Sequence, residues 1–370
     1  MTTDAQSWAI DLTNVAKTYR GKVHALRGVD MRVARGEVFG LLGPNGAGKS
    51  TLVKILMTII RPTTAVGSVL GNRVGDKPTL ARIGYLPEHH RFPEYLTGAQ
   101  VLDFYGGLNG IDKASRRKRI PELLELVGMK DWSNQAVKKY SKGMRQRVGI
   151  AQALIADPDL VILDEPTDGV DPVGRRDIRE LLVHLKQAGK TVFLNSHLLS
   201  ELEMVCDRVA IMVQGKVAMQ GTIGDLTIKQ RWYTIETNDP TRTAAIIAAS
   251  QQIDWRGDLG PNGFANADQA RAGTIAAGRL GPHVLVWTEA AEDIQSLLDT
   301  LRREGLIIKG VHARRPSLED LFMQAVTDPT TGQALLPGAA NAPGARPRAV
   351  RNLDAAHMIS SAPSQNGGAR

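Results

Sequence analysis

Residues 43–51, Gly-Pro-Asn-Gly-Ala-Gly-Lys-Ser-Thr, combine glycines that admit an anion with a Lys-Ser pair that can meet phosphate and metal. They directly follow Val38-Phe39-Gly40-Leu41-Leu42, an apolar run of buried-strand length. Strand, glycine turn and helix start form the context that the phosphate-binding pattern G-x-x-x-x-G-K-[ST] requires. Gly43, Gly46 and Gly48 let backbone N–H groups come close to phosphate oxygens, and Pro44, Asn45 and Ala47 complete the turn. A helix opening near Lys49 points its positive end at the same anion. Lys49 then reaches the β/γ-phosphates, and the Ser50 hydroxyl, with Thr51 beside it, ligates Mg²⁺.

A second run, Leu160-Val161-Ile162-Leu163-Asp164-Glu165, is an apolar strand ending in two acids. Asp164 at its tip is placed to hold Mg²⁺, directly or through water. Glu165 is the candidate general base that polarises water against a γ-phosphate. The same acids could cap the next helix. The phosphate loop upstream favours the catalytic reading.

Three more segments narrow the class: Tyr140-Ser141-Lys142-Gly143-Met144-Arg145-Gln146-Arg147, then Asp168-Gly169-Val170-Asp171-Pro172, then Thr191-Val192-Phe193-Leu194-Asn195-Ser196-His197. In this order and spacing the chain resembles the ATP-binding subunit of ABC transporters, of the exporter type with a C-terminal appendage. The resemblance covers about residues 8–226 and extends weakly to about 326. It implies an ATP hydrolase with ATP and Mg²⁺ as cofactors. It also implies residue roles. Tyr19 stands where the family stacks an aromatic on adenine, although a lone Tyr is more often a core residue. Ser141 and Gly143 match the signature segment that contacts the γ-phosphate of the opposite subunit. Asp171 matches a segment bridging the two subunits, and His197 matches the switch histidine on the γ-phosphate.

Two positions depart from the family pattern. The signature, commonly Leu-Ser-Gly-Gly-Gln, is here Tyr-Ser-Lys-Gly-Met. In Gly84-Tyr85-Leu86-Pro87-Glu88, an acid ends a segment that usually ends in glutamine. Glu88 would add a third carboxylate to Asp164 and Glu165, a crowding that a divalent cation offsets. We expect it to join the catalytic and metal set; a solvated loop acid is the alternative.

One phosphate loop and one signature make a single nucleotide-binding unit. In the resembled family two units face head to tail, so the expected working form is a homodimer closed by ATP. The expected partner is a separate polytopic membrane permease, met through the helical insert and residues from Glu88 to about Leu96. The expected location is the cytoplasmic face of the membrane. The other class kept open is a soluble ABC-type ATPase acting on nucleic acid or ribosomes. Such proteins usually carry two units or a long coiled coil, so no specific nucleic-acid partner is expected.

The supporting elements give an α/β fold: a P-loop parallel-sheet core with N-terminal antiparallel strands and a helical insert, a small α+β C-terminal domain and a disordered tail. Expected boundaries are 8–228 for the ATP-binding domain, about 98–140 for the insert, 230–326 for the accessory domain and 328–370 for the tail. The tail is rich in Pro, Gly, Ala and Ser. At 370 residues and 42% hydrophobic, the chain can bury such cores. Its net charge of +8 is compatible with anionic lipid headgroups. The basic run Arg116-Arg117-Lys118-Arg119 reads as a solvated helix face, and adjacent His89 and His90 make a poor chelate. The single Cys206 excludes an internal disulfide framework. The N-terminus lacks a secretory pattern, and no apolar stretch is long enough to span a bilayer.

Overall fold

The computed structural model describes residues 8–20, 23–228, 232–250, 253–258, 275–288, 291–314, 317–327 and 335. The expectations for the extreme N-terminus and for the 328–370 tail thus fall outside the described residues, Leu335 excepted.

Alternating apolar residues build a long antiparallel pair, β1 (Trp8–Tyr19) and β2 (Val23–Ala34). The chain then enters β3 (Val38–Leu42), every residue of which is buried, and turns into α1 (Lys49–Leu56). Strands β4 (Thr64–Val69) and β5 (Asn72–Arg73) return to β1, giving a four-stranded sheet of order β2-β1-β4-β5. After β6 (Ile83–Leu86) come α2 (Gly98–Leu108), α3 (Lys113–Leu126) and α4 (Lys142–Leu154). Then follow β7 (Leu160–Asp164), α5 (Pro172–Gln187), β8 (Thr191–Asn195), α6 (Leu199–Val205) and the hairpin β9 (Arg208–Val213) and β10 (Lys216–Thr222). The hairpin turns at Gln214-Gly215, both at positive φ, as a two-residue turn demands.

The central sheet has the order β10-β9-β3-β8-β7-β6, with β9, β3, β8, β7 and β6 parallel. Period-two alternation explains its continuous apolar strands. Phe39, Leu41, Ile162 and Phe193 enter the core shared with α1 and the antiparallel sheet. Val38, Leu42, Val161, Leu163, Val192 and Leu194 enter the core on the other face. Both faces being covered, β3, β7 and β8 are stiff supports for whatever their C-terminal ends carry.

The insert is helical, with one difference from expectation. Helix α3 starts at Lys113, capped by Asp112, and so takes in the whole basic run. That run is not simply a solvated face. Arg116 bonds Asp103 at 2.7 Å and the Ile111 carbonyl at 2.6 Å, and Arg119 bonds the Leu154 carbonyl and Asp157 at 3.0 Å each. These two arginines fasten α3 to α2 and to the end of α4, while Arg117 and Lys118 face solvent.

Beyond α7 (Ile223–Ile228) lies a second unit with its own core. Its elements are β11 (Trp232–Thr237), α8 (Pro240–Ala248), β12 (Ile253–Asp258), β13 (Ile275–Leu280), β14 (His283–Trp287), α9 (Ala291–Arg303) and β15 (Ile308–Arg314). The sheet order is β12-β13-β14-β11-β15. The last described helix, α10 (Leu318–Val326), opens with a capping box between Ser317 and Asp320. We expected it inside the accessory domain. Instead Leu318, Leu321 and Val326 bury themselves in the core of the ATP-binding unit. Cys206 lies with its sulfur against β3 at Gly40, and burial pushes its thiol pKa up. That suits a packing role.

Candidate active site

The ends of β3, β7 and β8 meet at one cavity of about 420 Å³. Its lining includes Gly43, Pro44, Asn45, Lys49, Ser50, Glu88, Glu165, Asn195, Ser196 and His197. Thus part of the phosphate loop, the expected general base Glu165, the expected switch residue His197 and the acid at 88 come to one space. Asp164, expected to hold the metal, is not in the lining, nor are Gly46, Ala47, Gly48, Thr51, Ser141, Gly143, Asp171 or Tyr19.

The loop needs its glycines. Gly48 sits at φ 108°, and a Cβ there would stand 2.6 Å from the Ala25 carbonyl oxygen. Gly43, at φ 154°, has the Met212 carbonyl in the same relation. The buried Lys49 ammonium donates to the carbonyls of Gly43 at 2.6 Å and Pro44 at 3.3 Å. Burial lowers its pKa, against the opposing pull of Glu165, Asp164 and Glu88.

Asp164 is only 5% exposed. Burial raises its pKa, and the charges of Glu88 and Glu165 add to the rise; a hydrogen bond from Asn195 opposes it. That bond, Asn195 Nδ2 to Asp164 Oδ1 at 2.5 Å, follows from register, because Asp164 and Asn195 are paired across β7 and β8. The other amide atom, Asn195 Oδ1, is buried without a hydrogen-bond partner. Tyr85, below the same carboxylates, has its pKa pushed up to about 12, first by burial and then by Asp164 and Glu88.

Glu165 has φ 52°, a left-handed conformation that a non-glycine residue adopts at some strain. Neighbours hold it there. Its N–H donates to the Asn195 carbonyl at 2.8 Å, and its own carbonyl accepts from Gln146 Nε2 at 3.2 Å. The carboxylate lies 2.8 Å from His197 Nδ1 and accepts from Ser196 Oγ at 3.3 Å and the His197 N–H at 3.4 Å. With Nδ1 as donor, Nε2 is the ring atom left to meet a phosphate oxygen.

Residues 26–168 match the ABC transporter family. An uncharacterized ABC transporter ATP-binding protein of Nostoc sp. is 47% identical over 244 residues, covering 64% of this chain and 73% of the relative. A daunorubicin resistance ATP-binding protein of Streptomyces coeruleorubidus is 34% identical over 322 residues, covering 86% of this chain and 96% of the relative. A dimeric ATP-binding cassette solved in a post-hydrolysis state with ADP and Pi superposes with TM-score 0.53 at 26% identity, covering 58% of this chain and 98% of that one. The chain belongs to the ATP-binding proteins of ABC transporters. It is an ABC-type ATPase.

In this ABC cassette the signature turn stands apart from the cavity. Ser141 caps α4, its Oγ accepting from the Met144 N–H at 3.2 Å. Asp171 caps α5 in the same way, and the bond from the Gly174 N–H lowers its pKa. The signature's departure at Lys142 has a local account: its ammonium bonds Asp168 at 2.7 Å and its stem crosses Gly169. The signature turn is therefore tied to the loop that carries Asp171. Tyr19 is 37% exposed, with its hydroxyl 3.5 Å from Thr51 Oγ1 and Lys17 Nζ 5.1 Å from its ring centre. It is not a core residue. His90 is held by the Pro87 and Arg145 carbonyls. Among the described residues no three His, Cys, Asp or Glu form a metal-binding group.

Sequence reasoning assigned no role to Asn195, Ser196, Gln146 or Phe322. The strand register offers a signal for Asn195, which must face Asp164 once β7 and β8 are adjacent. Gln146 lies two residues past the signature on the same helix, and its bond spans two elements. Phe322 also lines the cavity, from α10.

Proposed function

We propose that this cassette binds Mg-ATP at the cavity and hydrolyses it as a head-to-tail homodimer, powering export by a separate membrane permease. The observation that carries this is the convergence of Lys49, Ser50, Glu88, Glu165 and His197 on one space. In the proposed cycle Lys49 and the loop N–H groups hold the β/γ-phosphates. Glu165 takes a proton from the attacking water, whose oxygen bonds the γ-phosphorus as the bond to ADP breaks. His197, placed by Glu165, meets the γ-phosphate. Ser141 and Gly143 complete the partner copy's site, Asp171 bridges the copies, and Tyr19 meets the base.

The donor set fits Mg²⁺. Three carboxylates crowd a partly dry site against one lysine, and Asn195 Oδ1 lacks a partner there. Ser50, Asp164 and Glu88 would hold the ion, the rest of its shell coming from phosphate and water. Bound there, it would neutralise charge on the phosphates.

Export is supported by relatives named for drug resistance. A permease contact at the cytoplasmic face is supported by large apolar side chains left open on the helical insert and the segment before it: Tyr95 at 78% and Leu108 at 68%, with Phe104 nearby in sequence. Among the described residues no helix is long and apolar enough to cross a membrane. The test is Glu165→Gln, tagged and recovered with Mg-ATP from gently solubilised membranes. We expect retained ATP binding, turnover lowered at least about 100-fold, and a co-purifying multi-span protein in near-equal amount. Wild-type turnover would refute the base; recovery of a soluble dimer alone would refute the permease reading.

A further inference from the structure

Among the described residues, Phe322 is the one that lines the cavity from beyond the accessory sheet. Its helix, α10, packs against α6, α7 and β9. Leu318 and Leu321 anchor α10 in the core of the ATP-binding unit, and Phe322 follows at the edge, partly buried, where the cavity begins. The same cavity is lined by Leu199, the first residue of α6 and two positions after His197.

The start of α6 is weakly fixed by its own sequence. Its N-cap position is Leu198, with no capping side chain. Such a start leaves backbone donors to other partners and depends on packing for its position. The Leu198 N–H turns back to Ser196 Oγ at 3.1 Å, and that hydroxyl also bonds Glu165. The turn Ser196–Leu199 therefore carries His197, touches the general base and leads into α6, which packs against α10.

We propose that Phe322 is a positioning residue for hydrolysis: it seats the start of α6 and so sets where His197 stands toward the γ-phosphate. Because α10 follows directly on β15 in the chain, the accessory unit gains a mechanical line to the catalytic step. This rests on the reading of His197 as the γ-phosphate contact.

The test compares Phe322→Ala, Phe322→Leu, His197→Ala and the double variant Phe322→Ala/His197→Ala in the full chain. The readouts are phosphate-release kinetics, ADP affinity and thermal melting. For Phe322→Ala, kcat should fall about 10-fold, as a misplaced reacting group would cause, with KM and ADP affinity within about 2-fold of wild type. Phe322→Leu, keeping apolar bulk, should recover to within about 3-fold of wild type. The double variant should be no slower than His197→Ala. If His197→Ala is impaired while Phe322→Ala and Phe322→Leu turn over normally, or if the two losses multiply, this inference falls alone. If His197→Ala turns over like wild type, the γ-phosphate reading falls and this inference with it. Should Phe322→Ala melt below the assay temperature, Phe322→Leu carries the comparison: its remaining deficit must vanish in the His197→Ala background.

Discussion

Replacing Asn195 by Ala removes one hydrogen bond from a buried carboxylate and little else. Asn195 is 2% exposed, and its backbone carbonyl, which accepts from the Glu165 N–H, survives the change. Its amide Oδ1 makes no bond that could be lost. What disappears is the Nδ2 contact to Asp164, the one hydrogen bond that works against burial there. A bond to a charged acceptor contributes about 1.5–3 kcal/mol. For a cooperative unit of this size that is a fall in Tm of about 3–12 °C. Mg-ATP should narrow the gap, because a cation beside Asp164 supplies the missing positive partner. Differential scanning calorimetry of both proteins, with and without Mg-ATP, measures this. Equal melting within about 1 °C without nucleotide would show that Asn195 does not support Asp164. A gap that Mg-ATP leaves unchanged would place the metal elsewhere.

Three other outcomes follow from particular residues. Glu88→Gln removes one of three acids around the cavity, so nucleotide should bind more tightly without Mg²⁺ and gain less from adding it; titrations of a fluorescent ATP analogue with and without the ion decide, and an unchanged Mg²⁺ dependence refutes a metal role for Glu88. Gly48→Ala forces a Cβ against the Ala25 carbonyl at φ 108°, costing about 1–3 kcal/mol of strain and displacing the loop; a variant with wild-type ATP affinity would contradict the loop geometry. Lys190, and after it Arg119, hold the Asp157 carboxyl below its ordinary 3.8. Its contribution to stability is thus complete above pH 3.8 and is lost as pH falls through the lower native value. Asp157→Asn, which tolerates the left-handed φ of 54° there, should flatten the acid limb of urea-melt stability, and an unchanged limb would count against the pair.

What could be read along the chain, and what could not, divides by the range of the interactions. Strands β3, β7 and β8 announce themselves because burial on both faces demands uninterrupted apolar runs, and their ends carry the residues that motif spacing picks out. Glu165 and His197 were therefore named from sequence, and the structure brings them within 2.8 Å. Asn195 sits on the same strand as the approach to His197, yet its partner is not legible locally, since its meaning depends on which strand lies beside β8. Helix α3 shows the reverse problem. Its first two turns hold no apolar face, and what makes them helical is the Asp112 cap and the ties of Arg116 and Arg119 to other elements. Helix α10 is the sharpest case. Its capping box and apolar positions were visible, yet nothing local says which core those positions join. Leu318 and Leu321 would suit either unit by size and polarity. Their burial beside α6 lets a helix at the end of an appendage line the cavity. Helix α10 thus reaches the cavity through packing, the kind of relation that residue types and spacing along one chain do not encode.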